Sequence, residues 1–293
     1  MRYRVTHTTA YQYTDEVGQT YNEARLLPRE CPHQKLISTR LDICPKEADF
    51  RIREDFFGNQ IAYFAITEPH SEFTITAVSE VEVLGNTGQL GLSQGMSWES
   101  VKDTLQQDQH ADVIEARQYT LDSPYIKASP ELAAYAQPSF TPGRTLFDAV
   151  HDLMQRIFHE FTFDPEFTTL STPVNTVLEH RRGVCQDFAH VAIGCIRSYG
   201  LAARYVSGYI ETLPPPGKEK LVGSDASHAW FSVFIPDVGW VDFDPTNNQI
   251  PGEQHIIVAW GRGYGDVTPL KGVVFGGADH ELKVSVDVAR LPG

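Results

Sequence analysis

Three side chains of this 293-residue chain have the types and spacing to perform chemistry together. In "RRGVCQDFAH", Arg181 to His190, a cysteine follows a Gly-Val pair at the start of an apolar run. The pattern predicts a helix from about Cys185 to Tyr199, closed by Gly200 as a left-handed residue. Its apolar side collects Phe188, Val191, Ala192, Cys195 and Tyr199, so Cys195 reads as a core residue. Cys185 instead occupies the first turn, where unpaired N–H groups and the positive end of the dipole favour a thiolate. Arg181 and Arg182 add positive potential just upstream. A thiolate there suits attack on a carbonyl carbon, provided that a general base stands within reach and a third group orients the base.

Eleven histidines are available. His190 lies five residues further along the helix, turned by about 140° from Cys185, and His180 lies in the preceding connection. His228 is better placed. In "SDASHAWFSVFIPDVGWVDFDPTNN", His228, Trp230, Ser232 and Phe234 share one face of a strand, and Trp240, Asp242 and Asp244 share one face of the next. An odd loop around "PDVG" puts the two faces on the same side, and Gly239 favours such a loop. A five-residue loop, Ile235 to Gly239, sets Asp244 opposite Trp230 and diagonal to His228, within side-chain reach. Asp242 then falls opposite Ser232, one pair too far. On spacing alone, an amphipathic hairpin with both side chains solvated fits equally well; the cysteine gives the pairing its meaning.

The elements that must position these groups follow from periodicity. Tyr3, Val5, His7, Thr9, Tyr11 and Tyr13 share one parity, and Phe73, Ile75, Ala77, Val81 and Val83 another, with a Gly-Asn turn in "FFGNQ" at 56–60. An antiparallel β domain over 1–95 follows. "GNTGQLGLSQG", Gly85 to Gly95, has the composition of a linker, and a second domain over 96–293 begins with helices. Ser97, Ser129-Pro130 and Thr172-Pro173 are start signals, and Thr145 precedes Leu146, Ala149, Val150, Leu153 and Ile157 at helical spacing. Strands "ARYVSGYIET" and "HAWFSVFI" come next, separated by the loop "LPPPGKEKLVGSDAS", and "LKVSVDVARL" ends the chain as a strand free to return to either sheet. Helices followed by strands give an α+β class.

Composition narrows the partners. With 24 Lys plus Arg against 38 Asp plus Glu, the net charge of −14 disfavours nucleic acid and anionic membrane surfaces. "MRYRVTHTTAYQYT" lacks the continuous apolar core of a signal peptide, and no stretch has the length of a membrane span, so a cytoplasmic location is expected. The four cysteines include no C-x-x-C pair, which argues against zinc and against a disulfide scaffold. Cys31 and Cys44 are expected as reduced core residues, with a bridge between them left open. No metal or cofactor is expected, since the acidic residues are scattered and form no calcium loop.

"GVCQDFAHVAIGCIRSYGLAARYVSGY", "HAWFSVFIPDVGWVDFDPTNN" and "VAWGRGYGDVTPLKGV" resemble three blocks of the bacterial transglutaminase-like proteins, often described as cysteine proteases. The likeness covers about 145–273, and the β-rich start resembles the N-terminal domain that accompanies that core. It implies a papain-like α+β core, preceded by a sandwich-like antiparallel β domain. It also implies Cys185 as nucleophile, His228 as base and Asp244 as orienting carboxylate, the group that strand register also prefers. One departure is visible: Arg262-Gly263-Tyr264 stands where the family commonly has Arg-Asp-Tyr. The expected reaction is acyl transfer through a thioester, most simply by a peptidase or amidase acting on a peptide or protein. A transglutaminase and a catalytically silent peptide-binding module are the alternatives. Trp230, Trp240, Tyr209, Trp260 and Tyr264 are candidates to line the cleft, or equally to pack its walls.

Overall fold

The computed structural model describes residues 1–85, 95–212, 227–276 and 279–292. Almost all of the expected linker at Gly85–Gly95 and of the loop after Thr212 lies outside these residues. Six strands open the chain: β1 (Arg2–Val17), β2 (Gln19–Ala24), β3 (Gln34–Cys44), β4 (Asp49–Glu54), β5 (Gln60–Ile66) and β6 (His70–Val83). Helices α1 (Trp98–Gln107), α2 (Ala111–Arg117), α3 (Pro130–Ala136), α4 (Leu146–Glu160) and α5 (Val174–His180) follow, with short strands β7 (Thr162–Phe163) and β8 (Arg182–Gly183) on either side of α5. Then come α6 (Cys185–Ser198), β9 (Ala203–Ile210), β10 (Ser227–Ile235), β11 (Gly239–Phe243), β12 (His255–Gly261), α7 (Tyr264–Val267), β13 (Leu270–Phe275) and β14 (His280–Arg290).

Period-two patterning builds the first region. Tyr3, Val5, His7, Thr9 and Tyr13 of β1 are buried, and β6 buries Phe73, Ile75, Ala77, Val81 and Val83 beside it in antiparallel register. β4 and β5 are joined at "DFFGN", where the Asp55 carboxylate accepts the N–H groups of Phe57 and Asn59, each at 2.9 Å. Gly58 completes that turn with φ 73°. Two four-stranded sheets result, β14-β1-β6-β3 and β13-β2-β5-β4, and they face each other across a core of Tyr13, Phe64, Ile66, Phe73 and Ile75. β14 pairs with β1 from Tyr3 opposite Arg290 to Tyr13 opposite His280, so the end of the chain completes the first sheet.

The helical starts use hydroxyl caps. Ser97 accepts the N–H of Ser100, Ser129 that of Leu132 and Thr145 that of Asp148, each satisfying an otherwise unpaired donor. The third sheet, β11-β10-β9-β12, carries α6 on one face. α6 is buried on nearly every side from Gln186 to Arg197, because α3, α4 and α5 cover the face turned away from the sheet. The expected one-sided stripe is therefore too narrow: the helix sits at the middle of the core.

The other face of the third sheet meets the first region. Two side-chain carboxamides bind the outer edge of β12 as a neighbouring strand would. Gln34 donates to the Ile257 carbonyl at 2.7 Å and accepts the Ile257 N–H at 2.8 Å. Asn59 does the same with Trp260, at 2.8 and 2.9 Å. Among the described residues no helix is long and apolar enough to cross a membrane. All four cysteines are free thiols, with Cys31 half-buried and Cys44 exposed.

Candidate active site

The β10–β11 hairpin has the expected register. Phe231 pairs with Phe243, Ser232 with Asp242 and Ile235 with Gly239. Asp237 at φ 65° and Gly239 at φ 94° take the left-handed conformations that let the chain reverse so tightly. Ala229, Phe231 and Val233 alternate into the core shared with α6, while Trp230 packs on the opposite face with Val206 and Ile257. Gly208, paired with His228, is required there: a Cβ on it would lie 2.0 Å from the Ile256 carbonyl oxygen and 2.6 Å from the Trp230 ring.

Asp244 follows directly after β11, in "DPTNN". Its backbone pairs with Gln249, and its Oδ1 accepts the N–H groups of Thr246 at 3.0 Å and Asn247 at 3.2 Å, an Asx turn. The backbone thus fixes the carboxylate before any distant side chain meets it. Oδ2 then receives His228 Nε2 at 2.7 Å, Asn247 Nδ2 at 2.8 Å and His255 Nε2 at 3.1 Å. Asp244 is 0% exposed and His228 8%.

Nε2 of His228 is engaged by Asp244, which leaves Nδ1 as the other ring nitrogen, and the charge of the half-buried Cys185 acts on the imidazole. Burial works against a charge on His228, but hydrogen bonds to Asp244 and Cys185 and the charges of both outweigh it and push the imidazole up to about 10. Burial also opposes ionisation of Asp244. Hydrogen bonds from His228 and His255, the His228 charge and Asn247 hold its carboxyl well below the usual range all the same. The arrangement therefore favours an imidazolium held between a carboxylate and a sulfur.

Cys185 heads α6 on a turn with its own support. Asp187 reaches back so that Oδ2 accepts the Val184 N–H at 2.8 Å and the Thr168 hydroxyl at 2.7 Å. Gly183 makes this approach feasible, because a Cβ there would stand 2.6 Å from Asp187 Oδ2. Burial raises the Asp187 carboxyl above its usual value, against the pull of those two bonds. Arg181 and Arg182 pair with Glu160, at 3.0 Å, and with Asp164, so the positive potential expected of them is matched locally.

The other histidines lie elsewhere. His190 is buried, which with the nearby charge of Arg197 pushes it down to about 3; its Nε2 accepts the Tyr264 N–H at 3.2 Å. His180 is exposed and bonded to the Thr176 carbonyl. The aromatic candidates divide. Trp230 is fully buried, and Tyr209 is buried with its hydroxyl 2.9 Å from His7 Nδ1, so neither presents a surface to a ligand. Trp260 lies between the guanidinium groups of Arg29 and Arg204, 3.3 and 3.7 Å from its ring centre. Trp240 packs on Tyr119 and Phe234. Tyr264, half-buried, stands by Tyr125 and Tyr205. Tyr205 is itself buried, and its hydroxyl is pushed well above its usual value by burial and then by Cys185.

Asn247, His255 and Asp187 carry parts of this site that the spacing argument did not identify. "DPTN" is an Asx-turn sequence that would have flagged Asp244 and Asn247 together. His228, Asp244 and His255 offer ligand atoms within 4.8 Å of one another, a donor set that suits a divalent ion such as zinc. In the structure these atoms are joined by the hydrogen bonds given above.

Residues 3–82 match the family model of the bacterial transglutaminase-like N-terminal region, and residues 133–245 that of the transglutaminase-like superfamily. An uncharacterized protein of Mycobacterium tuberculosis is 42% identical over 299 aligned positions, spanning 100% of this chain and 94% of that one. A protein-glutamine gamma-glutamyltransferase of Pseudomonas aeruginosa is 33% identical over 103 positions, 34% of this chain and 15% of that protein. In three dimensions the chain is similar to a candidate cysteine protease of Cytophaga hutchinsonii, with a TM-score of 0.78 at 20% identity, covering 100% of this chain and 91% of the other. The α+β core with its N-terminal β region, the two family matches and the full-length relative lead to one conclusion: the chain belongs to the bacterial transglutaminase-like superfamily.

Proposed function

We propose that the protein is a thiol acyl-transfer enzyme that hydrolyses amide bonds in peptides or proteins, with Cys185 as nucleophile, His228 as general acid and base, and Asp244 as its orienting carboxylate. The observation that carries this reading is the buried His228–Asp244 pair, with His228 Nε2 2.7 Å from Asp244 Oδ2, beside the half-buried Cys185 whose charge acts on the same imidazole. The thiolate attacks the carbonyl carbon, and the oxygen takes up the negative charge as the C–S bond forms. The Cys185 N–H, in the first turn of α6 where helix donors lack carbonyl partners, is suited to bind that oxygen. Nδ1–H of His228 gives its proton to the departing amine as the C–N bond breaks, leaving a thioester and a neutral imidazole. Water then attacks while Nδ1 takes its proton; the C–S bond breaks, releasing a carboxylic acid and restoring the ion pair.

An amine in place of water would make the same intermediate serve transamidation, and the segment shared with the Pseudomonas aeruginosa glutamyltransferase favours that second reading. A mass-spectrometric screen of a peptide library, with and without an added primary amine, separates the two. Hydrolysed or deamidated peptides that disappear with Cys185→Ala support hydrolysis. Amine incorporation without hydrolysis supports transamidation, and peptide retention with no chemical change supports a binding module.

A further inference from the structure

Two strand edges lie on the same side of the first region. Among the described residues β14 is the outer strand of its sheet and β13 that of the facing sheet, and they pair with the consecutive strands β1 and β2. Val273, Phe275, Leu282 and Val284 on these edges are each at least half exposed. In β14 the exposure runs from His280 to Ser285, whereas Val286 and Val288 are buried. Alternation sends Leu282 and Val284 to the inner side of the sheet, opposite Tyr11 and Thr9, and Glu281 and Lys283 to the outer side. Inward-pointing charges are one device that keeps an edge strand from pairing, and here the inward positions are leucine and valine. The Asp279 carbonyl accepts the Thr14 N–H, and the Leu291 N–H donates to the Arg2 carbonyl, so odd-numbered positions of β14 bond to β1. His280, Leu282 and Val284 therefore direct their N–H and C=O groups away from β1, toward the open side.

We propose that this edge pairs with the same edge of a second copy of the chain, β14 antiparallel to β14 about a two-fold axis at Leu282. Charge selects the register. With the axis at Leu282, Glu281 lies opposite Lys283 of the second copy and Lys283 opposite its Glu281, two attractions on the outer face. An axis at Lys283 would set that lysine against itself, and an axis at Val284 would set Glu281 against Asp287. An axis at Ser285 would run the pairing into 286–290, beyond the exposed stretch. On the inner face the Leu282 axis lays leucine against leucine and Val284 against His280. About six backbone hydrogen bonds form, and the two four-stranded sheets become one continuous sheet. The stretch from His280 to Ser285 holds one acidic and one basic residue, so it is locally neutral in a chain whose net charge of −14 otherwise opposes self-association.

Sedimentation equilibrium of the full chain tests the pairing. The wild type should approach twice the chain mass as its concentration rises. Lys283→Glu and Glu281→Lys each replace two attractions by two repulsions, and each should raise the dissociation constant about tenfold or more. The exchange variant, Glu281→Lys with Lys283→Glu, reverses both charges and should return it to within about threefold of wild type. Both side chains are exposed, so these changes leave the folded chain intact. A monomer at every concentration up to about 0.1 mM overturns the proposal. So does a dimer that either single variant leaves undisturbed, or one that the exchange fails to restore. Hydrogen exchange of the wild type gives a reading that needs no variant. The Leu282 and Val284 amides should gain protection as protein concentration rises, and protection that is independent of concentration overturns the pairing.

Discussion

His228 and Asp244, 16 residues apart, meet at 2.7 Å because the three-residue reversal Pro236–Val238 returns β11 with its polar face beside that of β10. The bond is buried, and it joins a group that gains from being positive to one that gains from being negative. Its removal should alter both the pH range of activity and the pH range of stability.

Asp244→Asn removes the charge that raises His228. The upper limb of the activity profile, where His228 loses its proton, should move toward acid by about 1–3 units. The rate at the optimum should fall by a factor of about 10² to 10⁴. Amide hydrolysis measured from pH 5 to 10.5 on wild type and variant checks both.

Stability follows the same pair. The depressed carboxyl of Asp244 contributes stability above the unfolded carboxyl value of about 3.9, and this is lost as pH falls. The raised imidazole of His228 contributes stability that is complete below about 6.5 and is lost as pH rises toward about 10. The melting-temperature difference between wild type and the double variant His228→Gln, Asp244→Asn should therefore be largest between about pH 4 and 6.5 and shrink on both sides. A difference that grows from pH 7 to 10 would contradict the sign.

Gly183→Ala places a Cβ 2.6 Å from Asp187 Oδ2 and 2.8 Å from Asp187 Cβ. Asp187 must then release the Val184 N–H that it accepts just ahead of Cys185. We expect a loss of about 1–3 kcal/mol in chemical denaturation, with a loss of Cys185 reactivity that exceeds what unfolding explains.

Gln34→Ala should leave both backbone groups of Ile257 unpaired and buried against the first region. The expected cost is about 2–4 kcal/mol in urea unfolding, with Gln34→Glu also destabilising because a carboxylate cannot donate to the Ile257 carbonyl. A shift below about 0.5 kcal/mol, the scale of an ordinary surface substitution, would mean that the two regions do not depend on this contact.

The sequence made the hairpin and the head of α6 legible because both rest on local rules. Alternation sorted Ala229 and Phe231 from His228 and Trp230, Gly239 announced the reversal, and the first-turn position set Cys185 apart from buried Cys195. Hydroxyl caps at Ser97, Ser129 and Thr145 marked three helices for the same reason. What escaped depends on residues distant in the chain. Nothing near His255 announces that β12 will carry it to Asp244. Alternation places Trp230 on the face of His228, but Cys31, Val206, Ile257 and Trp260 close over that face, so the ring packs inside the protein. The short helix Ala111–Arg117 lacks a side-chain cap bond and gave no start signal.

The central claim is that an acyl group passes through the sulfur of Cys185, and intact-mass spectrometry of acid-quenched turnover tests it most directly. During hydrolysis of a peptide amide, the wild-type chain should gain the mass of the acyl portion, mapped to the peptide containing Cys185, and the adduct should disappear on treatment with hydroxylamine. Cys185→Ala should show neither adduct nor turnover. Hydrolysis that proceeds at the wild-type rate in Cys185→Ala, or with the sulfur never acylated, would contradict the account.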